Sequence, residues 1–163
     1  MDLDIRYAAG LFDGEGWITI CKQKLGGRYH YNEHYVRYQL QVGITMTNRP
    51  VVEAVHQTFG GNFFNVRSKA LPQARLCFGW KLSSGLAAEF LAIVEPHLIV
   101  KRDEALIAIE FQKHVRAHTH DFRYRPELRQ QLYAEREVFH ANLLAFKKRT
   151  FSPIGDDPIS IAA

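Results

Sequence analysis

The chain has 163 residues, is 47% hydrophobic, and carries a formal charge of +4 with a pI near 9.1. That length fits one domain with a substantial core. Two cysteines, Cys21 and Cys77, exclude a disulfide framework and a Cys-x-x-Cys metal or redox pair. Apolar runs such as FLAIV at 90–94 exclude a membrane-spanning helix, which needs about 20 residues. The acidic start MDLDIR does not resemble a secretion signal, so an intracellular protein is expected, and the mild basicity permits a polyanionic partner.

In chain order, Asp2 or Asp4 can cap a first helix in which Leu3, Tyr7, Leu11 and Phe12 recur at helical spacing, ending at Gly14 and Gly16. From Trp17 the period changes to two, and Ile18 and Ile20 oppose Thr19, Cys21 and Gln23, which predicts a half-buried strand. Gly26 and Gly27 open a polar, aromatic loop. The run RYQLQVGIT then alternates Tyr38, Leu40, Val42 and Ile44 against Arg37, Gln39, Gln41 and Gly43. Asn48 and Pro50 begin a second helix carrying Val51, Val52, Val55 and Phe59, which stops at Gly60 and Gly61.

A second strand pair follows. NFFNVRSK is read with Phe64 and Val66 facing the core and Asn65, Arg67 and Lys69 facing away. After a turn near Pro72, RLCFGWKL sets Leu76, Phe78, Trp80 and Leu82 against Arg75, Cys77, Gly79 and Lys81. Helices are predicted at about 84–94, 101–117 and 125–147. Residues 1–149 then form one α+β domain with a single antiparallel four-stranded sheet in the order αββαββα plus further C-terminal helices, and 150–163 form a loose tail.

The face of this sheet turned away from the helices should carry Thr19, Gln23, Arg37, Gln39, Gln41, Asn65, Arg67, Lys69, Arg75 and Lys81, with no Asp or Glu among them, although the chain holds 17 acidic residues. Such a surface suits the major groove of DNA. Arg and Lys match guanine O6 and N7, Gln and Asn match adenine N6 and N7, and lysines contact phosphates. An ordinary solvated face that happens to lack acids is the alternative.

The stretch AAGLFDGEGW, residues 8–17, sets Asp13 and Glu15 at the end of a helix, where the macrodipole already repels negative charge. A plain turn would account for DGEG by itself. Gly10 and Gly14, however, lie at i and i+4, where they let a second copy of the helix approach about a two-fold axis. One Glu15 from each copy would then meet near helix-end carbonyls. That concentration of oxygen donors suits a hard divalent cation such as Mg²⁺.

AAGLFDGEG resembles the LAGLIDADG motif that names a family of homing endonucleases. The likeness continues through GITMTNR, TFGG, WKLSS and EPHLIVKRDEAL, over about residues 4–110. The resemblance implies a saddle-shaped sheet and a homodimer, since one motif is present. It implies cleavage of both strands of a long, roughly palindromic duplex by metal-activated water, leaving 3′ overhangs and serving intron or intein mobility. Glu15 would ligate the metal, Gly14 would add a carbonyl, and Asp13 would support the turn and the paired helices, with Ala9 and Gly10 in the dimer contact. Lys101 stands where relatives carry a basic residue near the metal. Met46 or Thr47 stands where some relatives carry a water-organising polar residue, with Arg49 as a substitute. Thr19, Cys21, Gln23, Arg37, Gln39, Gln41, Asn65, Arg67, Lys69, Arg75 and Lys81 would read or hold the DNA. Relatives also include RNA maturases, and a non-cutting DNA-binding regulator of the same fold is a further alternative.

His114, His118 and His120 invite a zinc reading, the first two on one helix face, but no cysteine or carboxylate completes a tetrahedral set, so solvated histidines are expected. FKKRTF at 146–151 is read as a phosphate contact or a solvated helix end. Trp17 and Trp80 are read as core aromatics.

Overall fold

The Asp4 carboxylate accepts hydrogen bonds from the backbone N–H of Arg6 (2.8 Å) and Tyr7 (3.1 Å), which satisfies two of the orphan donors at the start of helix α1 (Ile5–Glu15). A computed structural model of the chain describes residues 3–25, 35–67 and 75–150. In it α1 leads directly into strand β1 (Gly16–Leu25), followed by β2 (Tyr35–Met46), α2 (Arg49–Phe59), β3 (Asn62–Val66) and β4 (Cys77–Ser83). Helices α3 (Ser84–Val94), α4 (Arg102–Ala117), α5 (Thr119–Tyr124) and α6 (Arg129–Thr150) complete it.

The four strands form one antiparallel sheet in the order β1-β2-β4-β3. One face carries Ile18, Ile20, Leu40, Val42, Ile44, Trp80 and Leu82, each at most 2% exposed, and the helices pack on it. Phe90 of α3 is the hub of this layer. Its ring meets Phe12 of α1 at 5.1 Å, Phe59 of α2 at 5.0 Å and Trp80 of β4 at 5.0 Å, all edge to face. The Trp80 indole N–H donates to the carbonyl of Gly60 at 2.6 Å, so this large ring is buried without an orphaned donor. The cluster fixes α1 against the sheet and so fixes where the end of α1 emerges.

Several expectations change. The long C-terminal helix begins at Arg129 rather than near 125, because Pro126 lies in a short 3₁₀ turn that separates it from α5. It runs to Thr150, and residues 151–163 of the expected loose tail lie outside the described residues. So do the Gly26–Gly27 loop, the Pro72 turn and Lys69. Strand β3 has the opposite facing to the one read from its sequence. Phe63 is registered with Trp80 and stacks on Phe78 at 6.1 Å, while Phe64 is registered with Gly79. Two adjacent phenylalanines give either register an apolar side, and a one-residue slip exchanges the faces. Asn65, registered with Phe78, therefore belongs to the helix-covered side, and Arg67 lies beyond the last paired residue, Val66.

Trp17 is likewise not a core residue. It is half-buried on the other face, where its ring lies over Gly43; a Cβ there would stand 2.5 Å from the indole. Phe64 lies over Gly79 in the same manner. Two glycines thus let two aromatic rings lie flat on the open side of the sheet.

Candidate active site and nucleic-acid interface

The α1–β1 junction is where the two carboxylates of DGEG part ways. Asp13, half-buried, accepts from three consecutive backbone N–H groups: Ile99 (2.7 Å) and Val100 (3.2 Å) on one oxygen, and Lys101 (3.0 Å) on the other. These amides precede α4, whose cap is Lys101. Asp13 therefore stands at the negative end of α1 and at the positive end of α4, and three charge-assisted bonds outweigh the repulsion from its own helix. The ammonium of Lys101 returns to the backbone carbonyl of Asp13, where a cation is favoured at the end of α1. Lys101 is thus the cap residue of α4, not part of its first turn.

Glu15 is exposed and makes no hydrogen bond or ion pair with any described residue. At the same junction lies a cavity of about 430 Å³ lined by Gly14, Gly16, Trp17, Val100, Lys101, Glu104 and Lys147. Sequence reading missed two of these groups. Glu104 is 8% exposed and faces the ammonium of Lys147 at 3.7 Å, and that ammonium also donates to the carbonyl of Ile18. Glu104 stands three residues after the cap of α4, a position where an acid reads as a routine capping residue. Lys147, read as part of a solvated or phosphate-touching helix end, is instead partly buried in this ion pair.

A hard divalent cation takes oxygen ligands. The donors here fit: the uncommitted carboxylate of Glu15, and Gly14 in the last turn of a helix, where carbonyls lack intrahelical partners. Among the described residues no group of three His, Cys, Asp or Glu side chains stands together as a metal set. The remaining ligands of such a cation would come from a second chain, a phosphate or water. Arg49 is turned elsewhere, bonded to Glu53 at 2.7 Å and lying 5.6 Å from the Phe78 ring, and Met46 packs against the core.

Of the expected dimer-contact residues only Gly10 is exposed. Ala9 is fully buried within its own chain and Asp13 is engaged with α4. A Cβ at Gly10 or Gly14 would meet nothing within 4 Å, so α1 presents a smooth strip there, flanked by exposed Ile5 and Tyr7.

The open face of the sheet gathers most of the predicted readers. Thr19 is registered with Gln41, Cys21 with Gln39, Gln23 with Arg37, and Gly43 with Lys81. Gln41 donates to Gln39 at 3.3 Å, and Gln39 donates to Ser84 at 3.2 Å. No acidic residue is registered on this face. Arg75 is exposed beyond the start of β4.

His118 and His120 are solvated as expected, whereas His114 is not. The His114 side chain is 14% exposed with Nε2 3.5 Å from a Glu135 oxygen, and burial, helped by nearby His118, pushes its pKa down. No described helix is long and apolar enough to cross a membrane.

No protein-family model matches the chain, and no curated protein matches it in sequence. Solved structures do. The chain is similar to the archaeal intron-encoded homing endonuclease I-Vdi141I complexed with DNA, at 18% identity over 86% of this chain and 82% of that one, with a TM-score of 0.64. It is similar to the homing endonuclease I-CvuI in complex with a DNA target in the presence of Mg, at 12% identity, 86% and 80% coverage, and a TM-score of 0.65. It is also similar to the homing endonuclease I-TnaI, at 14% identity, 91% and 99% coverage, and a TM-score of 0.65. Four antiparallel strands under a helical layer, with α1 running straight into β1, give this chain the fold of the LAGLIDADG homing endonucleases.

Proposed function

We propose that the chain is a site-specific DNA endonuclease that works as a homodimer with a divalent cation, Mg²⁺ by preference. The observation that carries this reading is Glu15, an exposed carboxylate left without a partner among the described residues at the end of a helix whose other acid, Asp13, is fully used. Two copies meeting along the glycine strip of α1 would bring two such carboxylates to one axis. A bound cation supplies charge neutralisation at phosphate and a water acidic enough to attack at neutral pH.

The chain's own residues do the rest. Glu15 and the carbonyl of Gly14 would hold the ion, and Lys101 would hold positive charge beside the phosphate oxygens. Asp13 fixes the distance between α1 and α4. Thr19, Cys21, Gln23, Arg37, Gln39, Gln41 and Lys81 face the duplex, and Arg75 reaches its backbone. Trp17 and Phe64 join that face as apolar contacts, of the kind that thymine methyl groups accept. The known DNA complexes of I-Vdi141I and I-CvuI support the duplex as ligand.

Incubation with a pooled library of duplex sites, followed by sequencing of the ends, tests the reading. Discrete cut sites that appear with Mg²⁺ and vanish with a chelator are expected. Duplex binding without any cut would make the chain a non-cutting regulator, and preference for folded intron RNA over duplex would make it a splicing cofactor.

A further inference from the structure

Strand β4 stops at Ser83, registered with Gln41, while β2 continues back to Tyr35. The space beside residues 37–39 is filled by α4, α5 and α6, and it is filled incompletely. A cavity of about 220 Å³ remains, bordered by Arg37, Gln39, Ser84, Gln112, Arg123 and Arg136. No carboxylate lines it. Water occupies about 30 Å³ per molecule in the liquid, so there is room for a tetrahedral oxyanion.

Arg136 is the unusual member. It is 7% exposed, its Nε is buried without a hydrogen bond, and its guanidinium makes no hydrogen bond or ion pair with any described residue. The neighbouring Glu135 spends its carboxylate on Gln131 (2.9 Å) and His114 (3.5 Å). The Arg136 cation lies against the face of Phe122, 4.3 Å from the ring centroid, which satisfies none of its N–H donors. Burial lowers its pKa, yet a guanidinium stays charged at neutral pH. Glu135 and Tyr133 act on it only through space, and a buried charge whose Nε–H goes unmet is expensive to keep.

The surroundings are built to hold it there. Arg129 donates to the carbonyls of Phe122 (3.0 Å) and Arg123 (3.1 Å), and Tyr133 meets the Phe122 ring edge to face at 5.2 Å. Arg129, Tyr133 and Arg136 follow one stripe of α6 at i, i+4 and i+7. On the opposite wall, Ser84 keeps a left-handed φ of 55° and accepts from Gln39 on the open face. The cavity thus opens at the margin of the surface that carries Arg37 and Gln39.

We propose that this cavity is a phosphate pocket, in which Arg136 supplies the buried cation and Arg37 and Arg123 supply the outer ones. A phosphodiester of duplex DNA passing the end of β4 and free phosphate share the chemistry that would fill it; the duplex source rests on the nuclease reading above.

Two variants and two probes decide. Arg136→Met replaces the buried charge with an apolar chain, and Arg123→Gln removes an exposed charge whose loss leaves the core untouched. In the first arm, sodium phosphate is compared with sodium chloride at equal ionic strength. Phosphate is expected to raise the wild-type unfolding temperature more than chloride does, and Arg136→Met is expected to lose that difference. In the second arm, a mixed-sequence duplex is titrated at several salt concentrations. Each variant is expected to weaken binding uniformly across sequences and to reduce the slope of log K against log salt by about 1.

Loss in both arms assigns a backbone phosphate, and loss in the first arm alone assigns free phosphate. A wild-type chain that binds no duplex but keeps the phosphate response refutes the nuclease reading and leaves the pocket standing. Variants that match wild type in both arms overturn the pocket, and Arg123→Gln alone suffices for that outcome if Arg136→Met fails to fold.

Discussion

The α1–α4 junction and the open face of the sheet adjoin one another and follow opposite rules. In the junction, Asp13, Glu104 and Lys147 are each matched by a partner in the same chain, whereas Lys101 meets a neutral carbonyl that leaves its charge available. On the open face, Gln23, Arg37 and Lys81 carry polar groups for which the fold supplies no matching acid among the registered residues. A group matched within the chain contributes to stability, whereas one left uncommitted is free to act on something else. Glu15 stands on the border, two residues from the most heavily bonded carboxylate at the junction, and belongs to the second class.

The contrast breaks most readily from beneath, because both regions rest on the aromatic hub. Trp80→Ala should cost about 3–5 kcal/mol in denaturant unfolding, since it removes a ring packed on Phe90 and opens a cavity under both regions. Next is the junction itself. Asp13→Ala strands three amides and should cost about 1–3 kcal/mol, read as a lower unfolding midpoint, with Asp13→Asn milder because its carbonyl oxygen still accepts.

The open face should give the reverse. Gln23→Ala should change stability by no more than about 0.5 kcal/mol, while weakening binding to the cognate duplex by about 1–3 kcal/mol in a titration. An equal loss of stability and binding would erase the distinction between the regions.

The smallest expected effect is pH dependence. His114 has its pKa lowered in the folded chain, so the unfolded chain takes up the proton first. Its contribution is complete above the unfolded value of about 6.5 and is lost as pH falls from there through the folded value. Glu137 is also held below its usual range, by hydrogen bonds from Lys22 and Tyr38. Its contribution is present above the ordinary carboxylate pKa and is lost as pH falls through the folded one. Both should show as shallow declines in urea midpoints on acidification. Tyr38→Phe should flatten the lower one, which is small because Glu137 is 42% exposed.

Much of this architecture was readable from residue order. In β2, strict alternation of Tyr38, Leu40, Val42 and Ile44 against Arg37, Gln39 and Gln41 allows one register and one core face, and the structure adopts it. The α1 motif likewise located Glu15 and Lys101 on neighbouring elements, a long-range pairing that only the family likeness suggested. What failed was local ambiguity. Phe63 and Phe64 offer the sheet two apolar choices, and nothing within five residues selects between them.

Trp17 misled for a different reason: its parity with Thr19 and Cys21 puts it on the open face, and its size argued for the core. The glycine opposite, Gly43, was the available signal. Ala9 was small enough for a helix contact between copies, but smallness serves packing within a chain equally well. The Glu104–Lys147 pair and the buried Arg136 depend on α6 crossing back over the sheet, which no periodicity encodes.

The central claim is that Asp13 holds the fold and Glu15 acts on the phosphate. Cleavage of the selected duplex site by Glu15→Gln, measured beside duplex affinity and unfolding temperature, addresses it directly. Cleavage should fall by about 10²–10³-fold or more, the scale for loss of a charge-stabilising group, with affinity and unfolding temperature unchanged. Cleavage at the wild-type rate, or a variant that unfolds as readily as Asp13→Ala, would contradict it.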